Sequence, residues 1–193
     1  FMYEPLIIFD ANNGGEEVMW LAEDIISEED NKTLIVKLRQ GVKWSDGEDF
    51  NADDVVFTLT YSRDNPAIDT GGSWSGDSPK LESVEKVDDY TVKVVTTKPN
   101  AFNRKDIFTQ AWMIPEHVFS KVTDPATAIV EEAVVTGAFS EVKDFTPEIV
   151  VLGRNPNYWK ADDLEVDELR VPQFDGNDAA LALLEEGNID WAY

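Results

Sequence analysis

Residues 34–57 read LIVKLRQGVKWSDGEDFNADDVVF, and three unlike elements follow one another within them. Leu34, Val36 and Leu38 alternate with Ile35, Lys37 and Arg39, the period-two pattern of a strand with one buried face and one partly wet. Gly41 breaks that strand. Asp46-Gly47 marks a turn, because Gly tolerates positive φ and Asp bonds its own local backbone. Asn51 is a suitable N-cap, and Asp53 and Asp54 put negative charge where the first helical N–H groups are unpaired and the dipole favours anions. The spacing therefore predicts a helix from Asn51 onward, with Val55, Val56 and Leu59 on its apolar side and an end between Tyr61 and Pro66.

Outward from this segment the order is mixed. Residues 82–87 and 90–97 read as strands joined at Asp88-Asp89. Pro115 opens a short helix through Val118 and Phe119 toward Lys121, and Asp124-Pro125 starts another helical turn with Ala126, Ala128, Ile129 and Val130 following. Residues 148–152 and 165–171 read as strands, the second bounded by Pro172. The clearest late helix covers 178–186, capped by Asn177 and stopped by Gly187. Residues 64–79, rich in Gly, Ser, Asp and Pro, read as a long mobile loop. There is no internal repeat and no low-complexity linker. The fold class expected is α/β in the mixed α+β sense.

At 193 residues the chain is long enough for one domain or one large lobe with a real core. Its formal charge of −23, from 16 basic and 39 acidic residues, opposes nucleic acid and anionic membrane as partners. The acidity could steer cationic ligands, but a solvated surface suited to salt or solubility explains it more simply. The absence of cysteine is compatible with an extracytoplasmic or a cytosolic setting. No apolar run approaches the roughly 20 residues of a membrane span.

The stretch LRQGVKWSDGEDFNADDVVF resembles the signature of the family 5 extracellular solute-binding proteins, the peptide-type receptors of bacterial ABC importers. The family pattern L-R-x-G-V-x-W-S-D-G-x-x-F-x-A-x-D-V-x-F is met by Leu38, Arg39, Gly41, Val42, Trp44, Ser45, Asp46, Gly47, Phe50, Ala52, Asp54, Val55 and Phe57. Further resemblances follow in the family's order: Tyr3-Glu4-Pro5-Leu6, Leu21-Ala22-Glu23, Ile114-Pro115-Glu116-His117-Val118, Arg154-Asn155-Pro156-Asn157-Tyr158-Trp159, and Gly187, Ile189 and Asp190 as G-x-I-D. The family's G-T-G-P-Y/F is replaced by Val135-Thr136-Gly137-Ala138-Phe139, which alters a turn and no reactive group.

The resemblance implies a periplasmic-binding-protein-like type II fold. Residues 1–33 and 151–193 would belong to the first lobe and meet in one sheet, while 34–150 would form the extra family 5 subdomain. The second lobe would be absent, so the chain is expected to be a fragment. The implied function is the extracytoplasmic substrate-binding component of an ABC transporter, either periplasmic or lipid-anchored at the outer face of the cell membrane. It would act as a monomer, enclose an oligopeptide or similar short oligomer between lobes and deliver it to the transmembrane permease subunits. A β-linked oligosaccharide is the alternative ligand, since RVPQFDGND at 170–178 and the later GNIDWA resemble the sugar-binding branch.

Chemistry-bearing patterns agree with a binding role. His117 is the single histidine, and beside Pro115 and Glu116 it reads as a surface or capping residue more readily than as the base of a nucleophilic system. The loop around Gly72, Trp74 and Gly76 places Trp where a G-x-S-x-G nucleophile would stand. Calcium, zinc and phosphate-loop spacings are missing, so no metal or cofactor is expected. A glycoside hydrolase using two of the many carboxylates is the alternative from another class. Of the six tryptophans, Trp44 and Trp159 lie inside motifs and read as structural, with their N–H groups hydrogen-bonded. Trp74, Trp112, Trp191 and Tyr193 are the ligand-binding candidates, with core or inter-lobe packing as the competing role for each.

Overall fold

The computed structural model describes residues 1–28, 30–69, 72–100, 102–130 and 133–191, the side chain of Asn12 excepted. Its centre is a four-stranded antiparallel sheet built from β3 (Ala22–Ser27), β4 (Thr33–Leu38), β5 (Leu81–Asp88) and β6 (Thr91–Thr96), in the order β3-β4-β6-β5. The predicted alternation holds in β4. Leu34, Val36 and Leu38 are buried, whereas Lys37 is exposed. Facing β6 contributes Val92 and Val94, and β4 pairs Val36 with Val92. Against this face lies the helix α1 (Ala52–Asp64), which buries Ala52, Val55 and Leu59.

Two smaller sheets flank it. β1 (Ile7–Asp10) and β2 (Glu16–Met19) form a hairpin, and β7 (Phe139–Phe145), β8 (Ile149–Arg154) and β9 (Glu168–Pro172) form an antiparallel sheet in sequence order. Short helices α2 (Asn103–Phe108) and α3 (Glu116–Phe119) follow the central sheet, and α4 (Asn177–Glu185) follows β9. One apolar cluster runs from Leu6 and Ile7 through the sheet and α1 to Ile107, Phe108 and Met113. Each fully buried large side chain in it, such as Trp44 or Phe50, contributes about 1.5–3 kcal/mol by leaving water.

Several expectations need correction. The two flanks of the chain do not share a sheet among the described residues. They meet where the Trp159 indole donates to Glu4 and stands edge to face against Trp20. At Asp124-Pro125 the expected turn forms, with the Ala128 N–H donating to Asp124 O at 2.9 Å, and Ile129 beyond it is exposed. Asn177 is the first residue of α4 and not its cap. Gly176 holds the cap position without a side-chain bond. Among the described residues of 64–79, one side chain gathers several donors. Asp69 accepts from the N–H groups of Ser73, Trp74 and Ser75 and from the Ser75 hydroxyl, at 2.7–3.0 Å.

Candidate functional site

The signature segment folds back on itself between β4 and α1. The Trp44 N–H donates to Glu48 O and the Gly47 N–H to Trp44 O, a tight loop that requires φ 97° at Gly47. This drives the Trp44 indole into the core against Phe50, edge to face at 5.9 Å. Burying an indole N–H requires an acceptor, and Trp44 Nε1 donates to Asp54 Oδ2 at 3.1 Å. The same carboxylate accepts from the N–H groups of Asn51 and Glu116 at 3.1 and 3.0 Å. Burial pushes its pKa up, against the pull of those donors. Asn51 caps α1 as expected, its side chain accepting from the Asp53 N–H at 2.7 Å.

A second buried carboxylate ties more distant motifs together. Glu4 accepts from the indoles of Trp20 at 2.7 Å and Trp159 at 3.1 Å. The two rings meet edge to face at 5.3 Å, and the Arg39 guanidinium sits 4.7 Å from the Trp159 ring centre. Burial raises the Glu4 pKa in spite of the two indole donors. Burial also raises the Tyr158 hydroxyl, and the nearby Glu4 charge adds to it. The His117 ring lies 2.7 Å from the Asp46 carboxylate. The Ser45 N–H donates to Val135 O, and Asn157 Nδ2 donates to Ser45 O. Five motifs far apart in sequence thus converge on one scaffold. Its two buried carboxylates point at fixed donors, an arrangement that positions structure.

Gly137 shows how closely the chain is packed there. A Cβ at this position would collide with the carbonyl oxygens of Phe1 and Met2, so only glycine admits the crossing strand end. Asn155 donates from Nδ2 to Gly137 O at 2.8 Å and fixes the turn from the other side.

The candidate ligand residues fall in separate places. Trp74 is partly buried, with Nε1 donating to Leu59 O at 2.6 Å and Arg63 stacked 5.3 Å from its ring centre, so it anchors the Asp69 loop to α1. Trp112 is 54% exposed and lines two pockets. Trp191, 65% exposed, borders an apolar groove of about 760 Å³ between β9 and α4, together with Phe1, Leu181 and Leu184. Phe1 also lines the shallow pocket beside Trp112, so Trp112 and Trp191 flank the same residue while Trp74 is turned away. Tyr193 lies outside the described residues. Trp44 and Trp159 have their N–H groups hydrogen-bonded inside the scaffold, as expected. Sequence reasoning missed Glu4 and Trp20 as partners and Phe1 as a lining residue. A lone glutamate before the apolar run at 5–8 was the available signal for the first; Trp20 and Phe1 had none.

Comparison with known proteins places this architecture. The family described as bacterial extracellular solute-binding proteins, family 5 Middle, matches residues 16–193. A Brucella ovis protein carrying the name of an ABC transporter peptide-binding protein is 30% identical over 99% of the chain and 36% of its own length. The periplasmic alpha-galactoside-binding protein of Rhizobium meliloti is 32% identical over 70% of the chain and 22% of its own. A periplasmic oligopeptide-binding protein from Thermotoga maritima, solved with mannohexaose bound, superposes with a TM-score of 0.83 at 27% identity, covering 98% of this chain and 35% of that one. The chain therefore spans about a third of the length of such relatives. A signature hairpin locked by Trp44 and Asp54, a type II mixed fold and a match over almost every residue together mean that the chain belongs to the family 5 bacterial extracellular solute-binding proteins.

Proposed function

We propose that this chain forms one wall of an extracytoplasmic receptor that captures short oligopeptides and hands them to an ABC permease. The observation that carries the reading is the chain-long agreement in fold with an oligopeptide-binding protein, 98% of the chain at a TM-score of 0.83. Residues 1–33 and 151–193 belong to the first lobe in this reading, and 34–150 to the additional subdomain. Binding is noncovalent and no bond is made or broken. Capture follows the hinge closure by which two-lobed receptors enclose a solute, with Trp112, Trp191 and Tyr193 as contact candidates on this wall.

A second reading, an oligosaccharide ligand, is favoured by the mannohexaose in the Thermotoga maritima structure and by the galactoside-binding relative. The exposed indoles of Trp112 and Trp191 would then stack on sugar rings. Thermal unfolding of the full-length protein against matched panels of short peptides and β-linked oligosaccharides separates the two, because a ligand that binds only the native state raises the midpoint. The first reading expects a concentration-dependent rise with peptides. A rise with sugars alone replaces it with the second.

A further inference from the structure

The pocket between α1, α2 and the Asp69 loop shares Trp112 with the wall proposed above, and the rest of its lining lies apart from that wall. It holds about 490 Å³, within the roughly 300–1,000 Å³ usual for small-molecule sites. Among the described residues, those that line it fall within 58–114. Most polar groups at its edge are already committed. Tyr61 donates to Phe119 O, Thr58 bonds the backbone of Ile114, and Asp69 holds its own loop. Two charges are not. Lys80, half-buried just ahead of β5, and Asp106, exposed on α2, both line the pocket, and among the described residues neither side chain has a hydrogen-bond or ion-pair partner. The Trp112 indole, 54% exposed, forms part of the same lining, with Gln110 and Ser62 beside it.

We propose that this pocket binds a small zwitterion of the amino-acid or dipeptide type, its carboxylate toward Lys80 and its ammonium toward Asp106, with its body against Trp112. Two unpaired charges of opposite sign in one pocket call for a ligand that carries both counter-charges. A ligand with one charge satisfies one and strips water from the other at a cost, and an uncharged sugar strips both. Each charge-assisted hydrogen bond is strong enough to dominate the affinity of so small a ligand. The indole adds an apolar floor and, toward the ammonium, a π face.

The test uses this chain itself and follows the indole N–H resonance of Trp112 by NMR. Titrants are dialanine, N-acetyl-dialanine amide, which keeps the body but loses both charges, and cellobiose. The proposal expects a saturable shift with dialanine and none with the other two. It also expects Lys80→Gln and Asp106→Asn each to weaken dialanine by about tenfold or more. Absence of a saturable shift with dialanine, an equal response to the blocked dipeptide or to cellobiose, or unchanged affinity in both variants overturns it. Because Trp112 also belongs to the wall proposed above, it is the loss of affinity in the Lys80 and Asp106 variants that assigns the shift to this pocket. A sugar preference in the full-length protein would defeat the peptide reading and leave this result untouched.

Discussion

At the scale of single residues, the two buried carboxylates make the sharpest predictions. Asp54 offers both oxygens to three donors, the Trp44 indole and the N–H groups of Asn51 and Glu116. Asp54→Asn keeps one acceptor oxygen and turns an NH₂ toward donors, so urea unfolding is expected to show a loss of about 1–3 kcal/mol. Trp44→Phe removes one of the three bonds and leaves two, and should cost less than Asp54→Ala. Glu4 predicts a pH dependence. Its pKa is raised in the folded state by burial, so the folded protein binds that proton more tightly than the unfolded chain. Stability from this group therefore increases as pH falls through the raised folded-state pKa, and levels off below the unfolded value. Relative to Glu4→Gln, which cannot titrate, the wild type is expected to gain stability from pH 7 toward acid. A wild-type stability that stays level with that of Glu4→Gln, or falls relative to it, from pH 7 toward acid would contradict the burial of an ionisable Glu4. Both carboxylates stand in motifs readable from sequence. Their partners were not readable, because Trp20 and Trp159 reach Glu4 from 16 and 155 residues away and no local pattern encodes that meeting.

At the scale of elements, patterns that depend on neighbours in sequence were legible and those that depend on distant packing were not. The strand at Thr33–Leu38, the Asn51 cap with its helix and the hairpin turn near Asp88 all follow from periodicity and turn chemistry. The hairpin of Ile7–Asp10 with Glu16–Met19 and the strand Phe139–Phe145 did not stand out. β7 exposes Val142 and Phe145 and buries little beyond Phe139, so it lacks the alternation that announces a strand. The 64–79 loop illustrates the same limit. Its Gly, Ser, Asp and Pro content suggested mobility, yet Asp69 gathers four donors that composition cannot reveal. Burial opposes ionisation of Asp69, but the Ser75 hydroxyl and the three N–H groups outweigh it and hold the pKa below its usual value. Asp69→Ala is expected to free the loop and raise its rate of cleavage in limited proteolysis several-fold, with Trp74 fluorescence shifting toward that of an exposed indole. Unchanged cleavage would mean that the Trp74–Leu59 bond alone holds the loop.

At the scale of the whole molecule, charge sets the conditions under which the fold is firmest. A formal charge of −23 on 193 residues is self-repelling in the compact state. The ion pairs present are partly exposed, among them Lys32–Glu82 and Lys86–Asp53, and each contributes little. Screening shortens the reach of that repulsion from about 10 Å at 0.1 M salt to about 3 Å at 1 M. The unfolding midpoint is therefore expected to rise with added NaCl, and a falling midpoint would show that attractive pairs outweigh the net repulsion. The family was legible in one segment because that segment builds the Trp44–Asp54 lock. The candidate contacts were harder to read, since an aromatic that anchors a loop, as Trp74 does, and one that is exposed, as Trp112 is, look alike in sequence. Capture of a short peptide by the full-length protein is read by calorimetric titration with a defined peptide library. Saturable one-to-one binding of peptides is expected, with a negative heat-capacity change from buried apolar surface. Heats indistinguishable from dilution for every peptide, beside saturable binding of an oligosaccharide, would contradict it.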